Sequence, residues 1–419
     1  MKNHPAMNTK QLDRPAAGAL SRRRFLAQAG IGLASVSTLS RAVAQGSAAN
    51  TRLRIGLIGC GGRGQWLLDL LEEHGGCQIA GAADYFDERV QEVATKFNLS
   101  PAQTFTGLTC AEKMIARGGL DAVAIISPPY FHPAQARAAV DAGLHVYLAK
   151  PVAVDVPGCR SIQASGELAR KKGLVFLVDF QTRANGFYVE ALKRIHSGAM
   201  GDMCFGESSY HAGRLAIKAP PGTAGARLKN WVFDQALSGD IIVEQNIHTL
   251  DVMSWVMKDT PPVSCTGAGG RRVRLDVGDA WDHYALVYEY ADQVGVTFSS
   301  RQFDAHGAPG GIINHMFGTK GVFLGEYGGN VMIRGDKDTF YRGGETTSIY
   351  KGGAVENIRT FHDAVLKKDA SNATIEPSVT SNLVAIMGRT AAQENRTVTW
   401  KDLMTTSRPL EADLSGLHA

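Results

Sequence analysis

Three side chains able to handle a proton stand close together in Gly239-Asp240-Ile241-Ile242-Val243-Glu244-Gln245-Asn246-Ile247-His248-Thr249-Leu250-Asp251. On a helix, Glu244, His248 and Asp251 fall at i, i+4 and i+7 and so share a face. A carboxylate beside an imidazole raises its basicity and selects its tautomer, which is what a general base requires. The intervening Ile241, Ile242, Val243, Ile247 and Leu250 imply burial rather than a solvated polar face. Lys150, in Ala149-Lys150-Pro151, adds an amine that can hydrogen-bond a substrate hydroxyl and help move its proton. Lys150, His248 and Glu244 are therefore the candidate catalytic set. The cysteines, at 60, 77, 110, 159, 204 and 265, form no C-x-x-C pair and have no nearby histidine pair, so no metal site is expected.

Such side chains need elements to hold them. From Arg52 to about Phe180 short β-branched apolar runs (53–59, 77–84, 121–127, 145–150, 174–180) alternate with amphipathic stretches (63–74, 87–98, 111–117, 132–142, 156–172). Apolar strands alternating with helices predict a parallel sheet covered on both faces, an α/β doubly wound sheet of the Rossmann type. Gly59-Cys60-Gly61-Gly62-Arg63-Gly64 fits G-x-G-x-x-G directly after the first strand and opens a helix. The context matters more than the pattern, because 47 glycines make chance matches easy. Gly59 permits the tight turn, Gly61 lets the backbone approach a pyrophosphate, and Gly64 lets helix and strand pack closely. Gly62 and Arg63 open the helix, whose dipole favours the phosphates.

Asp84, at the carboxyl end of the second strand, can accept from both adenosine-ribose hydroxyls and would repel a 2′-phosphate. NAD is expected over NADP, with Arg89 nearby keeping NADP open. Ligands bind outside the carboxyl ends of parallel strands, where Ser127, Pro128, His132 and Lys150 also fall. These join the glycine loop and Asp84 as cofactor-binding candidates.

Beyond Phe180 the rhythm becomes that of an α+β domain on a largely antiparallel, open sheet. Helices are expected at 186–197 and 239–257, and β-rich segments at 203–212, 263–274, 283–290, 294–301 and 312–324, with helices at 355–368 and 377–393 and a short strand at 397–400 closing the body. The expected layout is 1–44 signal, 52–180 dinucleotide domain, 181–345 substrate and oligomerisation domain, and 346–419 completing a two-domain body. Gln181, Arg183, Tyr210, Asp251, Trp281 and His283 are secondary candidates for contacting a substrate, with Arg214 and Trp231 able to line the same cleft.

Charge is segregated. Residues 1–44 hold seven Lys and Arg against Asp13, a local +6 that leaves the remainder at −2 of the chain's +4. The body therefore offers no electrostatic footprint for nucleic acid. No run of eighteen apolar residues exists, so no membrane anchor is expected. Ser21-Arg22-Arg23-Arg24-Phe25-Leu26, followed by a modest apolar stretch and Ala42-Val43-Ala44, resembles the twin-arginine export signal, a receptor-read address for proteins already folded.

The glycine loop at 59–64, Asp84, Ser127-Pro128 with His132, Lys150-Pro151 and the acid-x-x-x-His-x-x-Asp motif at 244, 248 and 251 occur in an order that resembles the Gfo/Idh/MocA family across about residues 53–403. The resemblance implies an N-terminal Rossmann domain binding NAD(P), a C-terminal domain whose open sheet mediates homo-oligomers, and a carbohydrate or polyol held over the nicotinamide. It further implies that Lys150 bonds the reacting hydroxyl, His248 is the acid/base, and Glu244 contacts substrate and imidazole. Two departures stand out: the family's Glu-Lys-Pro is Ala149-Lys150-Pro151 here, and the aspartate four before the histidine is Glu244. An exported NAD enzyme meets no free nicotinamide pool, so the cofactor must be loaded in the cytoplasm and restored in each cycle. That expectation admits paired oxidation and reduction of two substrates, glycoside cleavage through transient oxidation, or an external electron acceptor. A sugar-binding protein with a vestigial cofactor site is the non-catalytic alternative.

Overall fold

In the computed structural model, which describes residues 52–405 and 408–419, the apolar runs build a six-stranded parallel sheet in the order β3-β2-β1-β4-β5-β6. The export-signal stretch lies outside the described residues. The strands are β1 (Leu53–Ile58), β2 (Cys77–Asp84), β3 (Thr104–Thr106), β4 (Ala122–Ile125), β5 (His145–Ala149) and β6 (Phe176–Asp179). The helices between them are α1 (Gly62–His74), α2 (Asp87–Phe97), α3 (Cys110–Arg117), α4 (His132–Asp141) and α5 (Val156–Lys171). β3, three residues at the sheet edge, carries too short a pattern for the sequence to announce. The order reverses between β1 and β4, which opens the crevice where dinucleotide folds bind their ligand.

Four short helices follow, α6 (Gln181–Ala184), α7 (Gly186–His196), α8 (Ala224–Lys229) and α9 (Gln235–Ser238), with β7 (Met203–Ala212) between α7 and α8. The helix expected at 239–257 is broken into α10 (Ile241–Glu244) and α11 (Ile247–Val256). The physical cause is local: the N–H groups of Gln245 and Asn246 both donate to the Ile241 carbonyl, so the ladder stops and restarts a residue later. The remaining strands are β8 (Ser264–Gly270), β9 (His283–Glu289), β10 (Gly295–Gln302), β11 (Gly311–Gly318), β12 (Gly321–Glu326), β13 (Asn330–Gly335) and β14 (Tyr341–Glu345). The β-rich stretch expected at 312–324 falls within the β11–β12 hairpin, and β13 and β14 were not anticipated. After α12 (Ile349–Lys367) and α13 (Ile375–Glu394), β15 (Val398–Thr399) adds a ninth strand in the order β14-β13-β12-β11-β7-β10-β9-β8-β15. Among the described residues of this second sheet, only the β7–β10 pairing is parallel.

The long buried helix α13 ties this body to the reactive end of the Rossmann sheet. Asn382 accepts from Val152 N (3.0 Å) and donates to Ala153 O (3.0 Å), while buried Arg389 donates to Val154 O and Gly239 O, both at 2.8 Å. One helix thus fixes both the loop after Lys150 and the start of α10. On the other side of the sheet, Ala354, Ile358 and Phe361 of α12 pack with Leu67, Leu68 and Leu71 of α1 in a second apolar core. No helix among the described residues is long and apolar enough to cross a membrane.

Candidate active site

The glycine loop leaves β1 through Gly59 at φ +96°, where a Cβ would also lie 2.6 Å from the Ile126 carbonyl carbon. A Cβ on Gly64 would stand 1.9 Å from Gly59 O, so helix and strand approach as closely as backbones can. Helix α1 has Gly61 as N-cap and no side-chain cap, which leaves the first-turn N–H groups aimed at the cleft. Asp84 fastens the loop from below: it accepts from Cys60 N (2.7 Å) and Phe86 N (2.9 Å), with Arg89 4.0 Å away. Burial raises its pKa, opposed by these N–H groups and Arg89. Beside them runs a cleft of about 500 Å³ lined by Gly61, Gly62, Asp84, Ser127 and Pro128. Bare glycines, uncapped N–H groups and an acid at the strand end form a cradle that fits a dinucleotide.

Lys150 directly follows β5 and is joined by a cis peptide bond to Pro151. Its ammonium donates to Glu244 O (2.6 Å) and lies 3.4 Å from Glu244 Oε1. The break between α10 and α11 makes the first bond available, because His248 N turns to Gln245 O and leaves the Glu244 carbonyl free. Only 12% and 15% of the Lys150 and Glu244 side chains are exposed. Burial pulls the Lys150 pKa down, opposed by Glu244. The His248 pKa is driven well below the usual histidine value by burial and then by the Lys150 and Arg63 cations. Its Nδ1 is buried without a hydrogen-bond partner among the described residues, and its ring packs against Phe180 and Tyr327 at centroid distances of 6.5 and 5.0 Å.

Several sequence-based expectations are corrected. Glu244 serves Lys150, not the imidazole, because the helix break rotates it off the His248 face. Asp251 and Arg183 are locked to each other at 2.8 Å, with Arg183 also bound to Asp259 and Asp251 to Ser381; with Asp251 fully buried, the pair braces α11 instead of facing a substrate. His132 is buried between Pro151 O (Nδ1, 2.9 Å) and Ser127 O (Nε2, 2.8 Å), so it positions the two loops and does not itself touch a cofactor. Arg63 lines the cleft, but its guanidinium is paired with Asp179 at the end of β6, over the rings of Trp66 and Tyr350. Trp281 stacks its ring on Tyr284 and donates its backbone N–H to Asp240, and His283 pairs with Asp282, contacts internal to the second domain. Gln181 does join the reaction end: it is buried, donates to Asp179 (3.2 Å), and keeps an unpartnered Oε1. Tyr210 is buried and feels the Glu244 charge.

Asp179 and Tyr327 were missed. Asp179 is fully buried, holding Arg63 and Asn357, and its position at the carboxyl end of a Rossmann strand was a readable signal, the same one that exposed Asp84. Tyr327 comes from the β12–β13 turn and carries no local signal at all.

The sheet order, the cradle and the buried Lys–Glu–His group define a dinucleotide-dependent oxidoreductase. Residues 53–180 match the model of the oxidoreductase family with an NAD-binding Rossmann fold, and residues 188–324 match the GFO/IDH/MocA C-terminal domain; the chain belongs to this family. It is 23% identical over 335 residues to a 1,5-anhydro-D-fructose reductase of Ensifer adhaerens, covering 78% of this chain and 92% of that one. A glycosyl hydrolase family 109 protein of Streptomyces coelicolor is 26% identical over 167 residues, 39% of this chain and 35% of that one. The fold superposes on the crystal structure of myo-inositol 2-dehydrogenase from Lactobacillus plantarum with a TM-score of 0.65 at 19% identity, covering 83% of this chain and 99% of that one.

Proposed function

We propose that this enzyme oxidises a hydroxyl of an uncharged sugar or polyol, passes the hydride to a tightly held NAD, and regenerates the cofactor within the same site. The observation that carries the reading is the buried Lys150–Glu244 pair beside a His248 held neutral, next to the dinucleotide cradle. When bound, the nicotinamide supplies hydride acceptance. The chain's own groups do the rest. Lys150 uses two donors on Glu244 and has a third for the reacting oxygen. His248, neutral in the ordinary range, takes the hydroxyl proton. Two cations, Lys150 and Arg63, stand against two anions, Glu244 and Asp179, a balance that suits a neutral substrate.

The twin-arginine-like stretch supports export of the folded, loaded enzyme through that machinery to the periplasm, where it works as a homo-oligomer and recycles its cofactor by reducing a second carbonyl substrate. The likeness to a family 109 glycosyl hydrolase favours a second reading, in which transient oxidation permits loss of a glycosidic leaving group before rereduction. Purified enzyme incubated without added NAD against free sugars, sugar pairs and aryl glycosides separates the two. Product formation from a sugar pair supports the first, and aglycone release with no net change in nicotinamide absorbance supports the second. Protein that carries no dinucleotide and binds none at millimolar concentration defeats both.

A further inference from the structure

The adenosine half of the cleft has a second wall that the Rossmann fold does not supply. Ala216, Lys218, Lys229 and Trp231, from the segment around α8 in the second domain, line it opposite the glycine loop. This wall is folded onto itself by buried Asn230, which accepts from Lys218 N (2.7 Å) and donates to Ala219 O (2.7 Å), and by Thr223, which caps α8 through Ala226 N (3.0 Å). Lys229 spans the cleft: its ammonium pairs with Glu88 of α2 at 2.7 Å and lies 4.8 Å from the Phe86 ring centroid.

Residues 408–419 then join the two walls from outside. On the second-domain side, Arg227 donates to Asp413 O. On the Rossmann side, Leu108 N donates to His418 O (3.0 Å), and the His418 ring lies 4.5 Å from Tyr85. Ala419 O fills the space a Cβ on Gly107 would take, at 2.5 Å from it, and Gly107 sits at φ +89°. Tyr85, Gly107 and Leu108 themselves line the cleft. The same segment is anchored further back, where Leu410 N donates to Asp155 (2.7 Å). Each exposed polar contact is weak alone, but the cleft cannot widen here without breaking several at once.

We propose that Lys229, Trp231 and the 408–419 segment form a clasp over the adenosine half of the dinucleotide site, so that bound NAD leaves only when the clasp opens. The inference rests on the dinucleotide reading above and deepens it: residues outside the Rossmann domain make the cofactor a resident group instead of an exchanging co-substrate. Release is then limited by separation of the walls and not by the glycine loop, and removing either the span or the strap speeds dissociation more than it changes the shape of the cradle.

The test loads the full-length enzyme with NADH and follows release by fluorescence after a chase with excess NAD. Three variants are compared with it: Lys229→Met, Trp231→Ala, and a chain ending at residue 407. Far-UV circular dichroism and the dinucleotide-free melting temperature are recorded in parallel. The expected result is release at least tenfold faster in the shortened chain and severalfold faster in each point variant, with secondary structure retained. Unchanged release in folded variants, whatever their melting temperatures, overturns the clasp and leaves these contacts as bracing only. If the shortened chain does not fold, the two point variants decide the question by the same criterion. A wild-type enzyme that holds no dinucleotide overturns the oxidoreductase reading along with the clasp, whereas tight holding with variant-independent release overturns the clasp alone.

Discussion

The phosphate cradle, or phosphate end, and the neighbouring Lys–Glu–His group, or reaction end, are built on different principles. The phosphate end is backbone: Gly59, Gly61 and Gly64 remove side chains, α1 offers uncapped N–H groups, and the Asp84 carboxylate pins the loop within one β-α-β unit. The reaction end is side chain: Lys150 comes from the residue after β5, Asp179 from β6, Glu244 from α10, His248 from α11 and Tyr327 from a turn in the other sheet. Shape makes the first end, and it tolerates chemical change poorly only where a Cβ would collide. Charge makes the second, where each group's protonation depends on its neighbours.

The largest effect that tests this contrast is His248→Ala. If the imidazole accepts the substrate proton, turnover falls about 10²- to 10⁴-fold, while the dinucleotide stays bound because the cradle is untouched. Steady-state kinetics beside a fluorescence titration of NADH measure both, and joint loss of binding and turnover would erase the distinction between the two ends. Next in size is the link between them. His132 stands between the Ser127 and Pro151 carbonyls, donating to one of them when neutral, and burial lowers its pKa to about 4 against the opposing pull of both carbonyls. The unfolded ring takes up a proton below about 6.5 and the folded ring only near 4, so the unfolded state binds more protons in that window. Stability is full above about 6.5, and His132 alone removes up to about 3 kcal/mol as the pH falls towards 4. Denaturant unfolding across that range checks it, with His132→Gln expected to flatten the dependence.

The same contrast explains what the sequence disclosed. The phosphate end was legible in full because a glycine's role follows from its own φ and its own missing Cβ, and the strand-turn-helix context lies within 32 residues, 53–84. Lys150, Glu244 and His248 were legible as residue types, but not their pairing. A continuous helix would have set Glu244 beside His248, and only the doubled acceptance at Ile241 O, a three-dimensional detail, turns it to Lys150. Arg183 and Asp251 were misread for a related reason: two opposite charges 68 residues apart show no sign in sequence that they satisfy each other. Tyr327 is invisible because its place beside His248 depends on how α11 packs against the nine-stranded sheet.

A smaller effect separates shape from chemistry inside the loop. Gly64→Ala forces a methyl group against Gly59 O, which calls for a shift of α1 at a cost of about 1–3 kcal/mol. Gly62→Ala meets no atom within 4 Å and has no positive φ, so it leaves stability unchanged or slightly raised. Thermal melts of the dinucleotide-free proteins measure the pair. Equal destabilisation by both would mean that close approach at Gly64 is not what the loop requires.

The smallest expected effect is the most specific to the reaction end. Activity needs Lys150 protonated to donate and His248 neutral to accept, so kcat/KM rises with pH as His248 deprotonates, well below its usual range, and falls as Lys150 loses its proton below the usual lysine value. Glu244 opposes the burial that favours the neutral amine. Glu244→Gln keeps the carbonyl contact and most of the shape but removes the charge, so the ammonium is less stable and the alkaline limb moves to lower pH. The alkaline limb is therefore expected to move while the acid limb stays nearly fixed, because Glu244 is paired with Lys150 and not with the imidazole. A displaced acid limb with a fixed alkaline limb would reassign Glu244 to His248 and restore the helix-face geometry that the α10–α11 break contradicts.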